Sequence, residues 1–310
     1  MKRSLRSLKR RFLVLKMASI AIIAATRYNK GNNKLLIKEA KRVFDKALFV
    51  PINKLRIVEE NGTTKILYKE TNLLEFDACY PRFGSSDFFM GEAILRILDN
   101  ASIYTPVSLK GYQLANHKYF TIKKLAENKV PCLLTSLSAS PQAMENIVKE
   151  FGFPVVLKLI SGFAGKGVML VRDKKQLLSI LDTVHLFEDY ISAQRFVPGK
   201  NSDIRCYVFG DEVLSVKRTG KPGDWRANIS RGGKAEIIEG NKKMEKYAVK
   251  AARVLGFDIC AVDFIETNLT KQGFAVIEAN FQPGPFRKFL GNTVPKKMME
   301  FIKKKVEGEK

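Results

Sequence analysis

The stretch GFAVIEANFQPG, residues 273–284, places two polar side chains at the end of an apolar run, just before a turn. Alternate side chains of a β-strand share a face, so Glu278 and Asn280 are expected on the same face as Phe274 and Val276. A carboxylate and an amide in this position either emerge into solvent or bind a partner, because a buried charge is costly unless it is paired or bound to a metal. The stretch alone leaves both interpretations open.

The composition of the 310-residue chain is that of a folded protein with two or three modest domains, because 45% of the residues are hydrophobic and 27% are charged. The net charge of +23 is spread along the whole chain. It indicates either an acidic partner, such as nucleic acid, an anionic surface or a polyanionic substrate, or a lysine-rich surface that is only solvated. Neither a zinc finger nor an RNP1-like aromatic string is present to choose between these alternatives.

Cysteine and histidine usage restricts the chemistry. The four cysteines form neither a CxxC motif nor a Cys/His cluster, so we expect no zinc site and no disulfide framework. A reduced, cytoplasmic location fits this pattern. With only two histidines, a His-centred triad or a multi-histidine metal site is not expected, and the chemistry must use carboxylates, lysines and arginines.

The N-terminus imitates a signal peptide, because a basic start is followed by an apolar stretch. Lys16 interrupts that stretch, and no run of about 20 apolar residues exists, so no membrane helix is expected. The run ASIAIIAAT fits better as the first buried strand of an α/β domain. Residues 1–16 are then a basic extension, or a consequence of start-codon choice, since Met17 lies just before the strand.

Hydrophobic periodicity divides the rest of the chain into three stretches. In residues 17–105, strand-like runs such as SIAIIAA alternate with helical runs such as LLIKEAKRVF, which predicts an α/β domain with a largely parallel sheet. Residues 106–188 contain predicted helices at NHKYFTIKKLAENKV and SPQAMENIVKEFG, and a predicted strand at PCLLTSLS. The second helix has Ser140 as its N-cap and Pro141 in its first turn. Residues 189–310 are rich in strands and end in a basic helix.

The run VVLKLISGFAGKGVMLV combines a lysine on an apolar strand with a glycine-containing turn, and it predicts a β-hairpin. Lys158 either extends to water or binds an anion. Gly162, Gly165 and Gly167 would let backbone amides approach phosphates, but Lys166 is followed by a strand rather than a helix, so this is not a Walker A loop. A hairpin over a triphosphate and a plain β-turn both fit these residues.

Asp263 ends an apolar strand that, in a hairpin, would pair with the strand carrying Glu278 and Asn280. Three oxygen donors would then converge, and oxygen donors are the ligands that Mg²⁺ and Mn²⁺ prefer. The alternative is three unrelated polar strand ends.

The segment RTGKPGDWRANISRGGK adds cations and amides. Arg226 and Asn228 are predicted to alternate on one strand face, where an arginine would suit the capture of a phosphate or a carboxylate. A solvated basic loop is the alternative.

Taken in order and rough spacing, these segments resemble the ATP-grasp ligases: Lys158 with the glycine hairpin, then QRFV, DIRCYVFGDEV, GDWRANISRGG, AVDF and VIEANFQPG. The specific similarity is to the RimK-type branch, whose members add glutamate or related amino acids to a terminal carboxylate. It extends from Met17 to about residue 303.

The resemblance implies an α/β fold with α+β lobes. After the basic extension at residues 1–16, it implies an N-terminal α/β (pre-ATP-grasp) domain at 17–105. A two-lobed ATP-grasp fold follows, with a central lobe at 106–188 and a C-terminal lobe at 189–310 that clamp ATP between them.

The resemblance also implies roles for individual residues. The implied ATP contacts are the phosphate-binding Lys118 and Lys158, the loop glycines Gly162, Gly165 and Gly167, the adenine-binding segment Gln194, Arg195, Phe196 and Val197, and Asp203 near the ribose. The implied catalytic residues near the γ-phosphate and the acyl-phosphate are Arg226 and Asn228. The implied ligands of Mg²⁺ or Mn²⁺, with two ions expected, are Asp263, Glu278 and Asn280.

The activity that this resemblance implies is ATP-dependent ligation, in which ATP converts a carboxylate to an acyl-phosphate and an amino acid amine attacks it. Glutamate is the expected amino acid. The acceptor is a protein C-terminus, as in ribosomal proteins, a small cofactor, or an amino-acid intermediate. Arg195 stands where the branch has an acidic residue, so the contact expected at this position is through the backbone. PFRKFLGNTVPKK follows NFQPG in place of small and acidic residues, so an unusual acceptor is expected and the added amino acid need not be glutamate.

The basic surface favours an anionic or ribosomal substrate, and the lack of a long apolar run predicts no membrane association. The resemblance to the RimK-type ligases implies a homo-oligomer. The alternative function is a basic, non-catalytic ATP-binding module at RNA or the ribosome. The complete set of oxygen donors argues against it, because a module that only binds has less need of a metal.

Overall fold

The computed structural model of the chain describes residues 17–25, 30–159, 167–185, 190–198, 201–227, 232–284 and 286–308. None of the helices in those ranges combines the length and the hydropathy that a membrane crossing requires.

The N-terminal unit contains a parallel sheet in the order β2-β1-β6, as the alternation of strands and helices predicts. Its elements are β1 (Ser19–Ala24), α1 (Lys30–Val43), β2 (Lys46–Pro51), β3 (Leu55–Glu60), β4 (Thr63–Tyr68), β5 (Thr71–Asn72), β6 (Ala78–Arg82) and α2 (Phe88–Asn100). Every residue of β1 is buried, which explains its continuous apolar sequence. The small antiparallel sheet β3-β4-β5 was not predicted from the sequence.

The central unit contains an antiparallel sheet in the order β7-β10-β8-β9. Its elements are α3 (Leu109–Ala115), α4 (Lys118–Glu127), β7 (Thr135–Ser138), α5 (Pro141–Phe151), β8 (Val155–Leu159), β9 (Val168–Val171), α6 (Lys174–His185) and β10 (Ile191–Arg195). The hairpin predicted around the glycine segment is confirmed, because β8 and β9 pair antiparallel. The N-cap of α5 is confirmed too, since the Ser140 side chain accepts from Ala143 N at 3.2 Å. The sheet extends beyond the predicted boundary after residue 188, because its strand β10 lies at 191–195.

The C-terminal unit contains a five-stranded antiparallel sheet in the order β13-β12-β11-β14-β15. Its elements are β11 (Ser202–Phe209), β12 (Glu212–Thr219), β13 (Lys234–Ile237), α7 (Lys242–Leu255), β14 (Ile259–Glu266), β15 (Phe274–Asn280) and α8 (Thr293–Glu307). The predicted pairing of the two strands that carry Asp263 and Glu278 is confirmed.

Two hydrophobic cores join the N-terminal unit to the five-stranded sheet. In one core, Tyr80 of β6 lies with Tyr207 of β11 and Met298 of α8. In the other, on the opposite face of the sheet, α7 packs against β11 and β14. The central sheet has a separate core with α5 and α6. Although the core of this sheet is separate in the described part of the chain, the segment before the sheet meets the large one directly: α4 packs against β15, and the Val276 amide donates to the Pro131 carbonyl at 2.7 Å.

Candidate active site

A β-bulge in β15 decides which side chains face the candidate site. Asp263 lies opposite Glu278, but the next pair is Phe264 with Val276, so Ile277 is an extra residue on β15. Beyond the bulge, Ala279 lies in the same core as Phe274 and Val276. The predicted common face of Glu278 with Phe274 and Val276 is therefore wrong. Strict alternation fails at the bulge, and Glu278 and Asn280 lie on the face opposite that core.

Lys158 of β8 joins the central sheet to this bulge. Its Nζ donates to Gln194 Oε1 at 2.7 Å and to the backbone carbonyl of Ile277 at 3.3 Å. Lys118, at the start of α4, donates from Nζ to the carbonyl of Leu159 at 2.8 Å. The two lysines predicted to bind phosphate are thus brought to the same strand, and Lys158 reaches the strand that carries Glu278.

Opposing influences act on the pKa of Lys158. Burial lowers the pKa of its ammonium group to about 8, Glu278 and Asp263 oppose the shift, and the nearby positive charge of Lys118 adds to it. An incoming triphosphate would stabilise the charged form of this lysine, because an opposite charge at close range favours ionisation.

Asp263 belongs to a buried ion-pair network, by which we mean Asp203, Arg205, Arg218 and Asp263. Arg205 binds both carboxylate oxygens of Asp263 at 2.7 Å, and Arg218 Nη2 donates to Asp263 Oδ2 at 2.8 Å. Arg218 also binds both oxygens of Asp203, at 2.6 and 2.5 Å. All four side chains are at most 9% exposed, and the two positive charges match the two negative ones.

The network affects the ionisation state of Asp263 and the direction in which the Asp203 carboxylate points. Burial alone would raise the pKa of Asp263, but Arg205 and Arg218 more than offset this, and its pKa lies below the usual value. Asp263 is therefore ionised at neutral pH. Asp203, predicted to lie near a ribose, has its carboxylate directed at Arg218.

The three predicted metal ligands differ in how far they are already engaged. Within the described residues, the side chains of Glu278 and Asn280 make no hydrogen bond or ion pair, whereas Asp263 accepts three. A carboxylate has about four lone-pair sites, so Asp263 keeps room for one further contact. The same residues contain no cluster of three His, Cys, Asp or Glu side chains suited to a metal. Two carboxylates and one amide nevertheless form an oxygen donor set that fits Mg²⁺ or Mn²⁺.

The predicted adenine segment is partly occupied by the sheet. The Gln194 side chain binds Lys158 and also Thr135 Oγ1 at 3.1 Å, and the Arg195 amide donates to the Leu134 carbonyl at 2.9 Å. Phe196 and Val197 follow the end of β10 and are half-buried. The backbone amide of Arg195 is therefore already engaged by the segment next to β7.

Arg226 lies in a loop and not on a strand, so its predicted strand position is wrong. Asp224 holds it, with Arg226 Nε donating to Asp224 Oδ1 at 3.0 Å, and its guanidinium lies 5.4 Å from the Trp225 ring centre. Trp225 in turn packs edge-on against Phe196 at 6.0 Å. The loop thus brings Arg226 close to the end of β10.

Three predicted residues, Gly162, Gly165 and Asn228, lie outside the described residues. Gly167 is described: its φ of 71° is a left-handed conformation that favours glycine, and its carbonyl accepts from Leu159 N at 2.8 Å.

Sequence reasoning missed Arg205 and Arg218. The signal that singled out Lys158, a charged residue on an otherwise apolar strand, also exists in DIRCYVF, where Arg205 lies between Ile204 and Cys206. The sequence does not show that Arg205 pairs with Asp263, because this depends on the pairing of β11 with β14, in which the two residues lie opposite each other.

Comparison with known proteins agrees with this geometry. The model of the RimK-like ATP-grasp domain matches residues 115–302. A "Probable alpha-L-glutamate ligase" of Legionella pneumophila (strain Corby) is 33% identical over 240 residues, which cover 76% of this chain and 78% of the relative.

Two solved structures are similar in fold. The RimK domain protein ATP-grasp from Sphaerobacter thermophilus has a TM-score of 0.69 at 19% identity, covering 92% of this chain and 99% of the other. The ATP-grasp ligase PsnB, complexed with a phosphomimetic variant of minimal precursor, Mg and ADP, has a TM-score of 0.67 at 16% identity, covering 92% of this chain and 97% of the other. The chain belongs to the RimK-like ATP-grasp family and is an ATP-dependent carboxylate–amine ligase.

Proposed function

We propose that this ligase joins the amine of glutamate to an acceptor carboxylate through an acyl-phosphate. The observation that carries the proposal is the contact of Lys158 with both Gln194 and the Ile277 carbonyl, because it sets beside Glu278 a cation that would suit a phosphate. Glutamate is supported by the name of the relatives, "Probable alpha-L-glutamate ligase", the first of which is 33% identical.

In the proposed mechanism this chain mainly positions the reactants and neutralises charge. Lys118 and Lys158 hold the triphosphate, and Phe196 and Val197 present backbone groups to the base. Arg226, oriented by Asp224 and Trp225, approaches the transferring phosphoryl group together with Asn228. The amine then attacks the acyl-phosphate carbon, the amide bond forms, and phosphate leaves.

Asp263, Glu278 and Asn280 would hold Mg²⁺ or Mn²⁺, as one or two ions. Such an ion would neutralise charge on the triphosphate oxygens. PsnB, whose fold is similar, is complexed with Mg and ADP, which supports a metal in this enzyme. Because Arg205 and Arg218 already neutralise Asp263, Glu278 would supply most of the uncompensated negative charge for the ion.

The acceptor that we favour is anionic, either a protein C-terminus or a small acidic molecule, because the chain carries a net charge of +23. PsnB is also known in complex with a precursor peptide, PsnA2, which supports a peptide acceptor. All four cysteines are free, which supports a reduced cytoplasmic location. We also propose that the protein forms a homo-oligomer.

The experiment that tests the function is ADP release from the purified chain with ATP and Mg²⁺, screened against the twenty amino acids with acidic peptides as acceptors. ADP release that requires glutamate and an acceptor, with a mass increase of the acceptor by one glutamyl residue, is the expected result. Release that depends on another amino acid would overturn the choice of glutamate.

A pH prediction follows from Lys158. We expect ATP affinity to fall about fivefold between pH 8 and pH 9, because free Lys158 loses its charge as the pH rises through about 8 and binding must restore the proton. Isothermal titration calorimetry in buffers of different ionisation enthalpy should show proton uptake above pH 8. Lys158→Met should bind ATP weakly without this uptake. Wild-type affinity that stays constant from pH 7 to pH 9 would contradict the assignment.

A further inference from the structure

Arg82, the last residue of β6, is a buried cation that has no carboxylate partner among the described residues. Its side chain is 3% exposed, Nη1 donates to the Pro283 carbonyl at 2.9 Å, and Nε has no hydrogen-bond partner in the same ranges. Arg205 and Arg218, by contrast, are both paired with aspartates. A buried arginine that lacks a counter-charge destabilises the protein unless an anion binds to it.

The position of Arg82 in the sheet is one where ligands bind. The chain passes from β1 to β2 on one side and later returns to β6 on the other, so the order β2-β1-β6 reverses direction at β1. In open parallel sheets, ligands bind outside the carboxyl ends of the strands at such a switch point. Arg82 lies at that end of β6, opposite Ala24 of β1.

The turn after β15 packs against the end of β6 and joins it to the candidate active site. The Gln282 amide nitrogen donates to the Phe83 carbonyl, and Arg205 Nη1 donates to the Gly284 carbonyl. A Cβ placed on Gly284 would lie 3.7 Å from Asn32 Nδ2 and 3.9 Å from Arg82 Nη2. The side-chain nitrogens of Asn32 and Arg82 therefore lie close to Gly284. The Gly284 carbonyl is bound by Arg205, which also binds Asp263.

Further donors lie buried beside the two arginines. The hydroxyls of Tyr80 and Tyr207 form no well-directed hydrogen bond in the part of the chain that the structure describes, although Arg82 lies close enough to interact with the first and Arg205 with the second. The Arg82 guanidinium is 5.9 Å from the Tyr80 ring centre, and the Arg205 guanidinium is 6.0 Å from the Tyr207 ring centre. The acid that faces this region from the sheet, Asp263, is already paired with Arg205. This region thus offers donors to an acceptor group with several lone pairs.

We propose that Arg82 binds a carboxylate of one of the two substrates in the crevice between the end of β6 and the turn at Pro283 and Gly284. This inference rests on the proposed function and deepens it, because it assigns substrate binding to the N-terminal unit. A planar carboxylate matches the forked donors of a guanidinium better than a point charge would. The carboxylate comes either from the acceptor or from the incoming amino acid.

The test uses Arg82→Met, which keeps the side-chain length, Arg82→Lys, which keeps the charge, and the control Arg96→Met. Arg96 lies exposed on α2, where it pairs with Glu92 at 3.2 Å. Calorimetry with AMP-PNP and Mg²⁺ present measures binding of two probes. N-acetyl-L-glutamate has carboxylates but no amine and represents the acceptor, and L-glutamate represents the amine substrate.

We expect Arg82→Met to weaken the binding of one probe by about tenfold or more, the loss typical of a charge-assisted hydrogen bond. Nucleotide affinity should stay within about twofold of wild type. Arg82→Lys should recover part of the affinity, and Arg96→Met should bind like wild type. The probe that is affected identifies the source of the carboxylate.

A stability measurement separates binding from a purely structural role. The ligand-free Arg82→Met chain should unfold at or above the wild-type temperature, because an uncompensated buried charge has been removed. A large drop in the unfolding temperature together with weaker nucleotide binding would assign Arg82 a structural role and overturn the inference. Unchanged affinity for both probes, or a wild type that binds neither, would overturn it as well. Arg82-dependent binding without ADP release would instead overturn the proposed function and leave this inference standing.

Discussion

Glu278→Gln is expected to abolish ligation while leaving the fold intact. Glu278 is exposed, and within the described residues its side chain has no hydrogen bond or ion pair, so the substitution removes no stabilising contact there. It does remove the one negative charge among the predicted metal ligands that neither Arg205 nor Arg218 neutralises. Because replacing even an outer partner of a metal site costs about 10–100-fold in affinity or activity, we expect turnover to fall by at least about a hundredfold.

The measurement is ADP release as a function of Mg²⁺ concentration, with thermal unfolding as the check on the fold. Glu266→Gln is the matched control, because Glu266 is an exposed glutamate at the far end of β14 in the same strand pair. A folded Glu278→Gln variant with wild-type turnover would remove the metal assignment.

Asp263→Asn is expected to destabilise the chain by about 3–5 kcal/mol, in addition to any loss of activity. The substitution keeps the size of the side chain but leaves Arg205 and Arg218 with Asp203 as the remaining counter-charge in the network. These groups are at most 9% exposed, so water cannot solvate the excess positive charge.

Urea unfolding at neutral pH measures this effect, and Glu278→Gln serves as its control because Glu278 lies directly opposite Asp263 on β15. The two acids were predicted to act alike as metal ligands, yet the structure predicts that only Asp263 supports the fold. A change in the free energy of unfolding below about 1 kcal/mol for Asp263→Asn would contradict the role of the network.

Glu278→Gln and Asp263→Asn should separate metal binding from fold stability, two roles that the sequence does not distinguish. In the sequence, Asp263, Glu278 and Asn280 look like three equivalent oxygen donors on neighbouring strands. In the structure, two arginines from β11 and β12 engage Asp263, while the side chains of Glu278 and Asn280 make no hydrogen bond or ion pair among the described residues. Their difference comes from residues that stand 45 and 58 positions away from Asp263 in the chain.

The amino-acid sequence by itself determined the features that depend on local patterns. Alternation of strands and helices predicted the parallel sheet, the glycine-containing hairpin predicted the pairing of β8 with β9, and Ser140 predicted the start of α5. These predictions succeed because backbone hydrogen bonding, side-chain alternation and capping involve residues close together in the chain. The family resemblance rests on segments of the same local kind.

Only the tertiary structure decided which side chains meet. The bulge at Ile277 turned Glu278 away from Phe274 and Val276, Lys158 reached a carbonyl 119 positions away, and Arg82 reached Pro283 across 201 positions. A strand sequence specifies alternation but not where an extra residue interrupts it, and a buried charge requires a partner without specifying which one. Both choices depend on packing between distant elements, which is why the site took its final form only when the three units came together.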